Sequence, residues 1–206
     1  MAIHGLISQL PMPYYQAVQK IWSDLDHHFG IKSVWIDPDP HFSWQIAENY
    51  DVNALFPILE TFSKEQQPFT IETQGLAEFD DAEKILYIKI VPEKQIVALH
   101  AKLWGLLLAH SERKSIIYSP QTWVPHITLA SQGLNSAMIS DIKEFLAPEP
   151  FHWWMRVDNI LLASQRSENS FEVSHYFQLG KGLIAQDTFM KNNFEGVSYD
   201  HCTKRA

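Results

Sequence analysis

Apolar residues recur at helical spacing in two stretches, and each stretch runs on into a short strand-like motif. Tyr14, Val18, Ile21, Trp22, Leu25 and Phe29 fall on one face of a helix, with Gly30 placed to stop it. Ile96, Leu99, Leu103, Leu106 and Leu107 repeat the pattern, with Pro92 near the start. The first stretch leads to His41-Phe42-Ser43-Trp44 and the second to His126-Ile127-Thr128-Leu129. Residues i and i+2 of a strand share a face. Each motif therefore aims one imidazole and one hydroxyl the same way, with the apolar pair buried behind.

The segments after the two motifs also match. Val52, Leu55, Phe56, Leu59 and Phe62 predict a helix, with Pro57 in its first turn or kinking it. Ile139, Ile142, Phe145 and Leu146 predict its counterpart, capped by Asn135 or Ser136 and ended by Pro148 and Pro150. Two strand-like runs close each half: residues 69–79 and 85–91, then 151–164 and 170–179. Leu86, Ile88 and Ile90 alternate with Tyr87 and Lys89, as in a half-buried strand, and Gly75 marks a bulge. Residues 165–169 read as a polar hairpin loop, and Asp80-Asp81 as a turn. The order helix, motif strand, helix, strand, strand thus occurs twice, over about residues 12–91 and 94–179 of one bilobal domain spanning 1–206. Residues 3–10 add a further strand. The tail from 181 to 206 is not assigned, although Leu183, Ile184, Phe189 and Phe194 predict that part of it docks. The fold class is α+β: two tightly joined lobes, each an antiparallel sheet with helices on its outer face.

Composition narrows the partners. Apolar residues make up 46% of 206 and charged residues 19%, enough for a core and against disorder. The net charge of −8 argues against coating long nucleic acid by charge alone, yet leaves room for a nucleotide or RNA end held by local groups. Cys202 is the single cysteine, so no intrachain disulfide forms. No basic-then-apolar leader stands at the start, and the apolar stretch at 103–109 is too short for a bilayer, so a cytoplasmic monomer without membrane contact is expected.

Of the 10 histidines, three have Ser or Thr two places on: His41, His126 and His201. His201-Cys202-Thr203-Lys204 lies in the polar tail and lacks the second apolar residue. One such match carries little weight; two inside matched surroundings carry much more. His27 and His28 read as helix-end residues favoured by the dipole, His100 and His110 as helix packing, and His152 as strand packing. Asp37, Asp39, Asp80 and Asp81 read as loop chemistry rather than a magnesium site. Trp44, on the face opposite His41, belongs to the core. Trp123 and Tyr118, just before the second motif, are candidates to stack on a base; Arg166 is a candidate for a phosphate and Tyr176 for the cleft wall.

The paired motifs, their spacing and the duplicated order resemble the two-histidine (2H) phosphoesterase superfamily, which includes the bacterial 2′,5′ RNA ligase-like proteins and cyclic nucleotide phosphodiesterases. The resemblance covers most of the chain to Leu179 and is strongest at Pro125-His126-Ile127-Thr128-Leu129-Ala130. It departs at Ala130-Ser131-Gln132, where many ligase-like members carry an arginine. The resemblance implies a pseudo-two-fold bilobal α+β fold around a central V-shaped cleft, with His41, Ser43, His126 and Thr128 at the four active-site positions. It implies a phosphodiesterase acting on 2′,3′-cyclic phosphates or 2′,5′-linked nucleotides and RNA ends. These residues suit general acid–base catalysis that requires no metal and no cofactor: one histidine takes a proton from water, the other donates to the leaving oxygen, and the hydroxyls hold the phosphate. Which histidine is base and which acid stays open. A non-catalytic nucleotide- or RNA-end-binding module on the same fold is the alternative, and a metal-dependent hydrolase using both histidines is a third reading.

Overall fold

The computed structural model describes residues 3–32, 39–80, 83–167 and 170–194, without the side chains of residues 80, 166, 167, 170, 193 and 194. The elements run β1 (Ile3–Gln9), α1 (Tyr14–Phe29), β2 (His41–Glu48), α2 (Val52–Glu65), β3 (Phe69–Asp80), β4 (Lys84–Ile90) and α3 (Lys94–Leu107). After a short 3-10 turn at Ile116–Tyr118 come β5 (His126–Ser131), α4 (Ser136–Phe145), β6 (Trp154–Val157), β7 (Asn159–Ser167), β8 (Ser170–Gln178), β9 (Gly182–Ile184) and α5 (Gln186–Phe194). Gly30 takes the left-handed conformation (φ 68°) and closes α1 by donating to Asp26 and Leu25. Asn135 caps α4 by accepting from Met138 at 2.9 Å. Gly75 (φ 70°) sits in the register shift between Thr73 and Leu76.

All strands are antiparallel and form two sheets, in the orders β2-β1-β7-β8-β9 and β5-β4-β3-β6. The duplicated element order is present, but the halves are not the sheets. The motif strand β2 shares its sheet with the second half's hairpin β7–β8, and β5 shares its sheet with the first half's hairpin β3–β4. The helices exchange in the same way. α1 packs on β5, while α3 packs on β2 and α2 on β8 and β9. β2 and β5 are the edge strands and lie against each other, so the sheets join into one curled half-barrel with helices outside. The core fills the space between sheet and helices: Leu6, Phe42, Trp44, Leu55 and Leu59 on one side, Leu25, Leu86, Ile88, Ile127, Leu129 and Ile142 on the other, all at most 2% exposed. Burial of such side chains stabilises the fold by about 1.5–3 kcal/mol each.

Two expectations about single elements change. The run 151–164 is not one strand. It crosses between sheets at Asp158, where β6 ends its pairing with β3 and β7 begins pairing with β1 and β8. The side-chain amide of Asn159 fixes the crossing by pairing with both main-chain groups of Gln9, at 2.9 and 3.1 Å. The strand period does not change at such a crossing, so the sequence pattern cannot reveal it. The predicted loop 165–169 is shorter, because β7 and β8 stay paired to Ser167 and Ser170. Pro57 is the sixth residue of α2, which leaves the second of the two alternatives for it, and Asp51 caps that helix. The unassigned tail contributes β9 and α5, and Phe189 is 1% exposed. Phe194 and the Asp80-Asp81 side chains lie outside the described ones. Among the described residues, no helix is long and apolar enough to cross a membrane.

Beneath β2, the buried His100 ring lies flat on Trp123 (centroids 3.8 Å apart, planes within 4°) and its Nε2 meets the Trp44 carbonyl at 3.0 Å. Burial pushes its pKa down to about 4. The folded protein therefore holds it neutral, while the unfolded chain takes up a proton below about pH 6.5. Its contribution to stability is complete above that value and is lost as the pH falls toward 4. Urea unfolding between about pH 7 and pH 4 checks this: His100→Phe should lower stability at neutral pH yet flatten the decline on acidification. An unchanged slope would assign the decline to other groups, such as His4 and His126, whose pKa values are also depressed.

Candidate active site

Each motif histidine is the first residue of its strand and follows a proline: Asp39-Pro40-His41 and Val124-Pro125-His126. Proline fixes its own φ and favours extended backbone in the residue before it. The carbonyl two residues back is thereby turned toward the ring. His41 Nδ1 donates to Asp39 O at 2.7 Å, and His126 Nδ1 donates to Val124 O at 2.7 Å. This holds the proton on Nδ1 and leaves both Nε2 atoms free for a ligand. The adjoining backbone matches too, with Leu10 N–H on Pro40 O and Ile90 N–H on Pro125 O.

The burial sequence is the same in both strands. Histidine and hydroxyl residue are half-buried, the residues between and after them buried. Each strand bulges directly after its hydroxyl residue: Ile7 faces Ser43 while Leu6 faces Gln45, and Tyr87 faces Thr128 while Leu86 faces Ala130. Trp44 and Leu129 are the extra residues, and the bulges re-aim the strands there. The outward carbonyls of the hydroxyl residues are also matched. Trp123 Nε1 donates to Ser43 O at 3.0 Å, and Trp22 Nε1 donates to Thr128 O at 3.2 Å. In each case the donor comes from the half that does not own the strand.

The two motif strands lie against each other, and the charge of His41 acts on the His126 ring. His126 has a pKa below the ordinary value, first through burial and further through repulsion from His41, with the bond to Val124 opposing. Near His41, Tyr15 donates its hydroxyl hydrogen bond to the Asp39 carboxylate. His126 packs against Tyr87 and Phe79, with ring centroids 5.1 Å away in both cases. Beyond it a cavity of about 220 Å³ is lined by Phe79, Ile85, Ile117, Tyr118, Trp123 and His126, among others.

The structure thus brings Trp123 and Tyr118 to the His126 cavity. One face of Trp123 is taken by His100, so it acts as wall and support there rather than as an open stacking platform. Tyr176 stands in the cross-sheet row Ser43–Ile7–Leu161–Tyr176 and therefore on the face of Ser43. Its ring packs on Phe189, and burial, then the charges of Asp39 and Glu172, raise its pKa. The Arg166 side chain and all of Asp37 lie outside the described residues. Phe79 and Tyr87, which pack on His126, and Lys89, which stands opposite it, were not candidates in the sequence. Tyr87 and Lys89 showed there only as the polar side of an alternating strand, with nothing to say that this side faces a trough. Among the described residues, no group of three or more His, Cys, Asp or Glu could hold a metal ion.

A curled half-barrel that carries two matched histidine–hydroxyl pairs on adjoining strands has the architecture of a two-histidine phosphoesterase. Comparison with known proteins agrees. The sequence profile of the 2′-5′ RNA ligase superfamily matches residues 18–169, and the chain belongs to that superfamily. A protein of Oceanobacillus iheyensis named "Putative phosphoesterase OB1230" is 32% identical over 123 residues, covering 60% of this chain and 68% of the relative. A Bacillus cereus protein with the same type of name is 24% identical over 136 residues, covering 66% and 74%. The crystal structure of TT0787 from Thermus thermophilus superposes with a TM-score of 0.59 at 16% identity, over 87% of this chain and 98% of that one, and shares the fold.

The paired indole bonds lead to a stability test. Trp22→Phe and Trp123→Phe each leave a strand carbonyl without its donor, and each should lower the unfolding free energy by about 1–3 kcal/mol in urea titrations. Trp154→Phe, at a side chain 64% exposed, is the control. Losses no larger than the control's would remove these bonds from the account.

Proposed function

We propose that this protein is a metal-independent phosphodiesterase that opens 2′,3′-cyclic phosphates or cleaves 2′,5′-linked nucleotides and RNA ends by two-histidine acid–base catalysis. The observation that carries this reading is the matched pair of imidazoles, each held through Nδ1 at the head of one of two strands that lie against each other. His126, favoured in its neutral form, is the base in the hydrolytic direction. Its Nε2 takes the proton of a water as the water oxygen bonds to phosphorus. The bond from phosphorus to a ribose oxygen breaks, and His41 Nε2–H delivers a proton to that oxygen. The product is a phosphomonoester or a pair of separated nucleotides, and the rings return to their starting protonation through solvent. Ser43 and Thr128 donate to the non-bridging oxygens as charge grows there. The 220 Å³ cavity beside His126 takes the base of one nucleoside.

Turnover of a panel of 2′,3′-cyclic and 2′,5′-linked nucleotides, in EDTA, tests the reading. A bell-shaped pH–rate profile is expected, with its acidic limb below pH 6.5 because the His126 pKa is lowered. His41→Ala and His126→Ala should each lose about 10²–10⁴-fold in kcat and lose one limb of the bell. Ser43→Ala and Thr128→Ala should lose less, at most about 10²-fold, since water partly replaces a hydroxyl. Wild-type activity in His126→Ala would rule out the scheme; tight binding of the panel without turnover would favour a non-catalytic binding module.

A further inference from the structure

The two halves carry the same motif, but the strands beside the motifs differ. Opposite His41 stands Gln9, and opposite His126 stands Lys89; opposite Ser43 stands Ile7, and opposite Thr128 stands Tyr87. Residues opposed across an antiparallel pair share a face, with Cβ atoms about 4.5–5.5 Å apart. Lys89 therefore rises from the trough floor directly beside His126. It is half-buried, and no hydrogen bond, ion pair or ring contact joins it to another described residue. Lys20, Lys32, Lys64, Lys102 and Lys143 each sit beside a carboxylate, whereas, among the described residues, Lys94, Lys114, Lys181 and Lys191 do not; of the unpaired lysines only Lys89 stands opposite a motif histidine. An ammonium that has given up part of its water and found no counter-charge suits an anion arriving from outside.

Position adds a direction. The His126 ring leans on Tyr87 and Phe79, and the aromatic cavity continues on that side past Ile85. Lys89 lies at the opposite end of the same strand face. Along β4 the order is Ile85 in the cavity wall with Glu83 before it, Tyr87 beside Thr128, then Lys89 beside His126, and Lys89 itself does not line the cavity. The first half offers no cation at the equivalent place. Gln9 is 5% exposed, and its main chain is clamped by Asn159.

We propose that Lys89 forms a second anion subsite, so that the protein prefers substrates with a second phosphate next to the reacting one over a lone cyclic mononucleotide. The proposal rests on His41 and His126 marking the place of the reacting phosphate. The second anion is either a terminal phosphate or the next phosphodiester of an oligonucleotide, and ligand choice separates them.

Calorimetric titration of the full chain with adenosine 3′-monophosphate, adenosine 3′,5′-bisphosphate and the dinucleotide ApAp is the test. The added phosphate should tighten binding to wild type about tenfold, as one charge-assisted contact does. Lys89→Gln should erase that gain, so that the three ligands bind alike, and Lys89→Arg should retain most of it. A gain with the bisphosphate alone assigns a terminal phosphate; a gain with ApAp as well assigns any neighbouring phosphate. Equal binding of all three by wild type, a gain that survives Lys89→Gln, or an equal loss on all three in that variant would each overturn the subsite. Absence of binding by every ligand would overturn the nucleotide reading along with it. A wild type that shows the gain yet turns over no cyclic or 2′,5′-linked nucleotide would keep the subsite and sink the catalytic scheme alone.

Discussion

Two sheet edges must be satisfied where they meet, and the remaining architecture depends on how that is done. β2 and β5 each pair with one neighbour only, so each turns a row of carbonyls outward. On β2, those of Glu48, Ile46, Trp44 and Ser43 are met by Glu112 N–H, Ser115 N–H, His100 Nε2 and Trp123 Nε1. All four donors come from α3 or the segment between it and β5. On β5, the Thr128 carbonyl is met by Trp22 of α1. Each half thus closes the other's exposed edge. That exchange brings together two histidines 85 positions apart in the chain.

The duplicated plan reaches further down than the motifs. Proline, ring bond to the carbonyl two residues back, bulge after the hydroxyl and indole on its carbonyl all occur twice. Such symmetry suits the proposed phosphate, which would sit between two equivalent groups. Direction has to come from what breaks it. Tyr87, Phe79 and Lys89 gather on the His126 side, and Ile7, Gln9 and Tyr176 on the His41 side. Burial and the His41 charge lower the His126 pKa, and the proposed scheme takes this ring as its base.

Much of this was legible in the sequence because it is local. Helical spacing located α1 through α4, and the alternation of Leu86, Ile88 and Ile90 located β4. The His-x-Ser/Thr spacing placed each hydroxyl on the face of its histidine. What was not legible is non-local. An apolar run does not reveal that residues 151–164 change sheets at Asp158, and a duplicated order does not reveal that the tightly joined halves exchange their motif strands. Lys89 and Tyr87 looked like the solvent side of a strand, because period two separates faces without saying which face becomes a trough. Trp22 and His100 read as plain core residues; their hydrogen bonds to strand carbonyls arise only once both halves are in place.

The central claim is that two imidazoles, each pinned through Nδ1, offer their Nε2 atoms to the same phosphate. Nitrogen-15 spectra of histidine-labelled protein titrated with adenosine 3′-monophosphate address it directly. The account predicts that His41 and His126 both start with the proton on Nδ1 and that both Nε2 resonances shift with one shared midpoint at one equivalent of ligand. Movement of one ring alone, or two rings responding with separate midpoints, would contradict it.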